Sequence, residues 1–187
     1  MTEKFAAQST PLKGLTVLER QPLGDSRGQL ERMFCSLELA QHLGGASIIQ
    51  SNLTRTKSRG TVRGMHLQVA PHAEVKIVTC LQGRVWDVAV DVREGSSTFL
   101  QWHAEILNGE GHRSLLIPRG FAHGFQALTD DCTLLYYHTA AHSPAAEMGL
   151  DALDPRLSIE WPEPVPVRSE RDASHPHISD TFRGVRL

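Results

Sequence analysis

An all-β architecture, barrel or sandwich, is the fold class this sequence predicts, and three observations predict it. Short apolar runs recur at a spacing of roughly eight to twelve residues, turn residues punctuate them, and helical periodicity is almost absent. The clearest strand covers residues 85–92: Trp86, Val88, Val90 and Val92 line one face, and Asp87 and Asp91 share the other. Glu94-Gly95-Ser96-Ser97 turns the chain into a strand over 102–107. Asn108-Gly109-Glu110-Gly111 turns it again into 114–117, which stops at Pro118. Further strands are expected at 15–20, 30–35, 47–54, 61–68, 75–81, 121–128 and 133–139. One short helix fits 37–43, where Leu37, Leu39, Ala40 and Leu43 recur at helical spacing.

The 187 residues suit one domain, 1–187, with a single sizeable core. From about residue 154 the chain turns rich in Pro, charge and His. That stretch is expected to be an irregular but ordered tail wrapping the barrel, with a frayed end beyond residue 180. Composition is 40% hydrophobic and 21% charged, that of a globular protein. With 19 basic and 21 acidic residues, no global field points to a nucleic acid or membrane partner. An anionic ligand would need a local group of Arg and Lys. Residues 1–10 hold no apolar targeting core, and no run is long enough to span a bilayer. Cys35, Cys80 and Cys132 have no metal-type spacing and read as buried thiols of a cytoplasmic protein.

Four features could carry chemistry. In Arg63-Gly64-Met65-His66-Leu67-Gln68, strand parity sets His66 on a polar face with Gly64 and Gln68, suited to a barrel mouth. Arg63 falls on the opposite face unless the backbone bulges near Gly64. Lys76 lies in an apolar run, where it either snorkels from an edge or aims a buried cation at a developing oxyanion. Ile117-Pro118-Arg119-Gly120-Phe121-Ala122-His123 carries a PxGxxH spacing that resembles the second motif of cupin barrels, where the His is often a metal ligand. Leu135-Tyr136-Tyr137-His138 holds the only two tyrosines, one of which must face inward. A cupin metal centre needs about three His and a carboxylate. Here Gln68 stands where a second His would, and Lys76 falls near the carboxylate's place, so no metal is expected. The basic run Arg55, Lys57, Arg59, Arg63 reads either as a solvated loop or as a phosphate site.

Taken in order, these segments resemble one family. Gly60-Thr61-Val62-Arg63-Gly64-Met65-His66-Leu67-Gln68, Lys76, residues 87–93, Ser97-Thr98-Phe99, Trp102, Ile117-Pro118 with residues 120–125, Tyr136 with Thr139, Ser143-Pro144 with Glu147, and Ile159-Glu160-Trp161-Pro162 are similar to the dTDP-4-dehydrorhamnose 3,5-epimerases. The resemblance implies a double-stranded β-helix (cupin or jelly-roll) barrel with few short helices. It implies epimerisation of a nucleotide-linked 4-keto-6-deoxy sugar at C3, C5 or both, without a cofactor, in a homodimer. His66 then falls where the family has its base, Asp172 where it has the partnering carboxylate, Lys76 beside the keto oxygen, and Tyr136 where it has the acid. Arg27, Gln50, Asn52, Arg63 and His123 match positions that bind substrate or support the site, with Arg27 expected to reach the neighbouring subunit. His142 takes the place of a tyrosine that precedes Ser-Pro.

The chain departs from the family pattern at Leu30, Arg32, Leu53, Leu67 and His142. These changes beside retained motifs lead us to expect a different sugar nucleotide, or inversion of a single carbon. The alternatives are a cupin ketoisomerase, a metal-dependent oxygenase and a non-catalytic sugar-nucleotide binding protein.

Overall fold

The computed structural model describes residues 4–187. Two antiparallel sheets face each other, as the alternating apolar runs require. The elements are β1 (Phe5–Ser9), β2 (Thr16–Arg20), β3 (Leu23–Asp25), β4 (Gly28–Leu30), α1 (Ser36–Leu39), β5 (Gln50–Thr56), β6 (Val62–Gln68), β7 (Lys76–Gln82), β8 (Arg84–Asp91), β9 (Trp102–Asn108), β10 (Arg113–Ile117), β11 (Phe121–Ala127), β12 (Cys132–His138), β13 (Glu147–Gly149) and α2 (Glu170–Ala173). A six-stranded sheet runs β1-β2-β10-β7-β12-β5 and a five-stranded sheet runs β13-β6-β11-β8-β9. β3 and β4 form a separate hairpin. This is the all-β architecture that the strand pattern predicts, in the jelly-roll arrangement that the resemblance implies.

Side-chain alternation divides the apolar residues into three layers. Between the sheets lie Val17, Val78, Cys80, Val85, Ala89, Leu115, Ile117, Phe121, Phe125 and Leu134. The outer face of the five-stranded sheet carries Val88, Val90 and Val92, and Trp86 packs against that layer, as parity predicts. There the tail covers them with Leu157, Ile178 and Val185, and Trp161 joins the packing. α1 and the 3-10 turn that follows close the outer face of the six-stranded sheet, with Leu39 and Leu43 against Leu18, Ile77 and Leu116.

Several expectations need correction. The strand at 30–35 is absent beyond Leu30. Glu31 instead accepts side-chain bonds from Arg20 Nε at 2.7 Å and His112 Nδ1 at 3.0 Å, so this segment is held by side chains rather than by a ladder. The expected helix over 37–43 is a short α-turn and a 3-10 turn. The C-terminus is docked rather than frayed: Val185 bridges Arg93, its N–H donates to Val92 O at 2.7 Å, and its side chain is buried. β1, β13 and α2, all five residues or shorter, have no counterpart among the expected elements.

One irregularity shapes the interior. The β6–β11 ladder pairs His66 with His123 and Arg63 with Phe125, so β6 spends one more residue than β11 over the same distance. The extra residue is a bulge at Gly64, whose φ is +124°. A Cβ on Gly64 would lie 2.5 Å from Gly124 Cα and 2.8 Å from His123 O, so only glycine lets the two strands approach here. We therefore expect Gly64→Ala to destabilise the protein by about 2 kcal/mol or more. For a chain of this size that lowers Tm by about 4–8 °C. Calorimetry returning a Tm within about 1 °C of wild type would show that the bulge tolerates a side chain.

Candidate active site

The bulge reverses the simple parity of β6 and turns both Arg63 and His66 toward one cavity of about 370 Å³ between the sheets. That volume lies in the range of small-molecule sites. The five-stranded sheet contributes Arg63, His66, Gln68 and His123. The six-stranded sheet contributes Gln50, Asn52, Lys76, Tyr136 and His138. The rim includes His142 and, from the tail, Ser169, Arg171 and Asp172.

His66 Nε2 lies 2.8 Å from Asp172 Oδ1. Asp172 is buried, and its other oxygen accepts the Gly64 N–H at 3.2 Å. Its position comes from α2: Ser169 caps the turn by accepting the Asp172 N–H at 3.0 Å, which points the carboxylate at β6. Burial works to raise the Asp172 pKa, but hydrogen bonds from His66, Gly64 and Ser169 outweigh it and hold the group down to about 2. The carboxylate is therefore ionised at neutral pH and fixes the imidazole in orientation and tautomer.

Tyr136 stands on the facing sheet, its ring 6.0 Å from those of His123 and His138. Burial, with the negative charge of Asp87 added to it, pushes its phenol far above the ordinary tyrosine range. The hydroxyl thus keeps its proton at physiological pH. His123 is buried and holds Asp87 Oδ1 at 2.8 Å, a second imidazole–carboxylate pair beside the first in the ladder.

Lys76 points inward, which resolves its two sequence readings. Its Nζ donates to His66 O at 3.3 Å and pairs with Glu74 Oε1 at 3.3 Å. Glu74 also holds His138 Nδ1 at 2.8 Å. Burial opposes ionisation of Glu74, yet His138 and Lys76 keep its pKa below the ordinary glutamate value. The expectation that Lys76 replaces a carboxylate here is thus corrected: the cavity wall contains both, two residues apart. Glu74 and His138 were missed. His138 had a signal, since strand parity sets it on the Tyr136 face, but Glu74 sits before β7 in a segment that reads as a polar loop.

Asn52 approaches His138 Nε2 at 3.4 Å, and Gln50 accepts the His142 N–H at 2.9 Å. Arg63 Nε donates to Thr56 Oγ1 at 3.0 Å, leaving its guanidinium at the exposed end of the cavity. Arg27 is not brought to this cavity. It projects from the β3–β4 hairpin, 88% exposed and paired with Asp25. Of the five departures, only Leu67 and His142 line the cavity. Leu30 and Leu53 are exposed on β4 and β5, and Arg32 pairs with Glu38.

Residues 9–180 match the family model of dTDP-4-dehydrorhamnose 3,5-epimerase. A curated protein of that name from Sinorhizobium fredii is 36% identical over 184 residues, covering 96% of this chain and 94% of its own. A dTDP-4-dehydrorhamnose 3-epimerase from Streptomyces niveus is 35% identical, covering 86% of this chain and 78% of its own. Among solved structures, the dTDP-6-deoxy-D-glucose-3,5-epimerase of Legionella pneumophila, in complex with dTDP-4-keto-L-rhamnose, superposes with a TM-score of 0.90 at 35% identity, over 98% of both chains. An inward imidazole–carboxylate pair, a facing tyrosine and a jelly-roll barrel thus coincide with a match over nearly the whole sequence, and the chain belongs to the dTDP-4-dehydrorhamnose 3,5-epimerase family of isomerases.

Proposed function

We propose that this protein epimerises a nucleotide-linked 4-keto-6-deoxy sugar at C3, C5 or both, by removing a proton next to the ketone and returning one from the other face. The observation that carries the proposal is the opposition of two groups across one cavity. His66, held by an ionised carboxylate, comes from the five-stranded sheet, and Tyr136, held protonated by burial, comes from the six-stranded sheet.

The chemistry needs this division. A carbon inverts only if a base and an acid reach it from opposite sides, and the two must differ in protonation state. In this reading His66 accepts the proton, Asp172 supports the resulting imidazolium, and Tyr136 delivers a proton to the opposite face. Negative charge develops on the ketone oxygen as the proton leaves. Lys76, anchored between Glu74 and the His66 carbonyl, supplies the cation that stabilises it. The ketone is itself the electron sink, so the scheme calls for no cofactor. Gln50, Asn52, Arg63, His123 and His142 bind the sugar nucleotide or support the groups that do, with Arg63 suited to a phosphate.

The same proposal takes the chain as one cytoplasmic domain that works as a homodimer, in which Arg27 reaches the partner's cavity. Free thiols at all three cysteines favour a reducing compartment. Tail packing across the five-stranded sheet favours a single folding unit. Leu53 and Ile49 are 51% and 61% exposed on and just before the edge strand β5, which favours a second copy covering that edge. Sedimentation equilibrium is expected to return twice the 20.7 kDa chain mass, and a monomer at micromolar concentration would contradict the dimer.

Incubation with a panel of nucleotide-linked 4-keto-6-deoxy sugars, dTDP-4-keto-6-deoxyglucose among them, in deuterated water tests the activity. Deuterium is expected at C3, C5 or both in wild type, and none at either carbon would contradict it. His66→Ala should lower exchange by about 10²–10⁴, whereas Tyr136→Phe should retain exchange and lose inversion. A folded His66→Ala variant exchanging at the wild-type rate would remove the base, and undiminished inversion in Tyr136→Phe would remove the acid.

A further inference from the structure

The His-rich tail has a feature that the proposed reaction does not use. Asp172 lies in α2 and His175 just past its end, and both meet His66 of β6. His175 lies over Gly149, which pairs with His66 in the β13–β6 ladder. A Cβ on Gly149 would come within 2.0 Å of His175 Nε2, so the imidazole fills the space that a side chain there would take. The rings of His66 and His175 meet edge to face at 6.0 Å. One donor atom from each of His66, Asp172 and His175 lies within 4.8 Å of the others. His175 Nε2 is enclosed without a hydrogen-bond partner, and the nearby cation Arg171 is occupied by Glu147.

Two imidazoles and a carboxylate, with His66 and Asp172 lining the cavity and His175 beside them, form a donor set for a borderline first-row ion. We propose that His66, Asp172 and His175 form a Zn²⁺-binding site, and that the ion inhibits the enzyme reversibly rather than serving its chemistry. The inhibition rests on the reading of His66 as the base. Whichever ring nitrogen of His66 the ion takes, the imidazole loses either its lone pair or its link to Asp172. Closing the donors around zinc requires side-chain movement of about 1 Å, since ligand atoms bound at roughly 2.0–2.1 Å in a tetrahedron lie about 3.3 Å apart. The 2.8 Å contact of His66 with Asp172 therefore opens, and His175 draws in from within 4.8 Å. Mg²⁺ and Ca²⁺ prefer all-oxygen shells and should not compete. His175 packs against the His66 ring but carries no proton in this scheme, and Asp172 still holds the base without it, so its loss leaves turnover intact.

Calorimetric titration of the full chain with ZnCl2, beside a MgCl2 control, tests the site. Wild type should bind Zn²⁺ with an affinity that His175→Gln and His175→Ala each weaken by about 100-fold, the upper end of what even an indirect metal partner contributes. Zinc should slow deuterium exchange in wild type, a chelator should restore it, and the His175 variants should turn over normally and resist zinc. Equal zinc affinity in wild type and both variants, or no binding at all, would overturn the site whatever the base proves to be. Tight His175-dependent binding that leaves exchange unchanged would instead support the site and remove His66 as the base.

Discussion

The Asp172 carboxylate ties together parts of the chain that are more than a hundred residues apart, and the cavity depends on it. One oxygen holds His66 and the other holds the Gly64 N–H at the bulge. The barrel strand and the tail therefore fix each other. Without the tail, the His66 ring would lose the charge that orients it. Without the bulge, Arg63 and His66 would revert to opposite faces, and the cavity would lose one of them. A buried carboxylate left without these partners would also carry a large desolvation penalty, so the contact bears on stability as well as on chemistry.

Around this contact the cavity repeats one motif in three versions. Asp172–His66, Asp87–His123 and Glu74–His138 each hold an imidazole against a carboxylate at 2.8 Å. Each pair lets an ionisable group stay inside the barrel with a partner of its own. The pairs also set a gradient across the sheets. Negative charge at Asp87 helps burial keep the Tyr136 proton in place, while Glu74 anchors the one lysine that faces the cavity. A carboxylate-held His66 and a Tyr136 that keeps its proton, on facing sheets, are the arrangement on which the proposed inversion rests.

Much of this was legible in the sequence, for physical reasons. A strand with clean alternation in sequence, such as β8, announces both its faces, and His66, Lys76, His123 and Tyr136 all sit on strands that the sequence marks. Asp172 came only from the family resemblance, because α2 is four residues long and has no periodicity to read. The segment after Leu30 misled, since its apolar residues suit a strand while Glu31 is claimed by the side chains of Arg20 and His112. Parity alone places His138 on the Tyr136 face, but its pairing with Glu74 depends on the β7–β12 register, which sets His138 opposite Lys76 and follows from the fold. The departures at Leu30, Arg32 and Leu53 looked like changes to the site but lie outside this chain's cavity, so they bear on the sugar only if a second subunit brings them to it.

For the proposed inversion, one sugar ring must fit between His66 and Tyr136 with its ketone turned to Lys76. A crystal structure of the protein with a bound 4-keto-6-deoxy sugar nucleotide measures it directly. The account predicts the two side chains on opposite faces of the ring, each about 3–3.5 Å from the same carbon adjacent to the ketone. A ring bound with both groups on one face, or with the ketone turned away from Lys76, would contradict it.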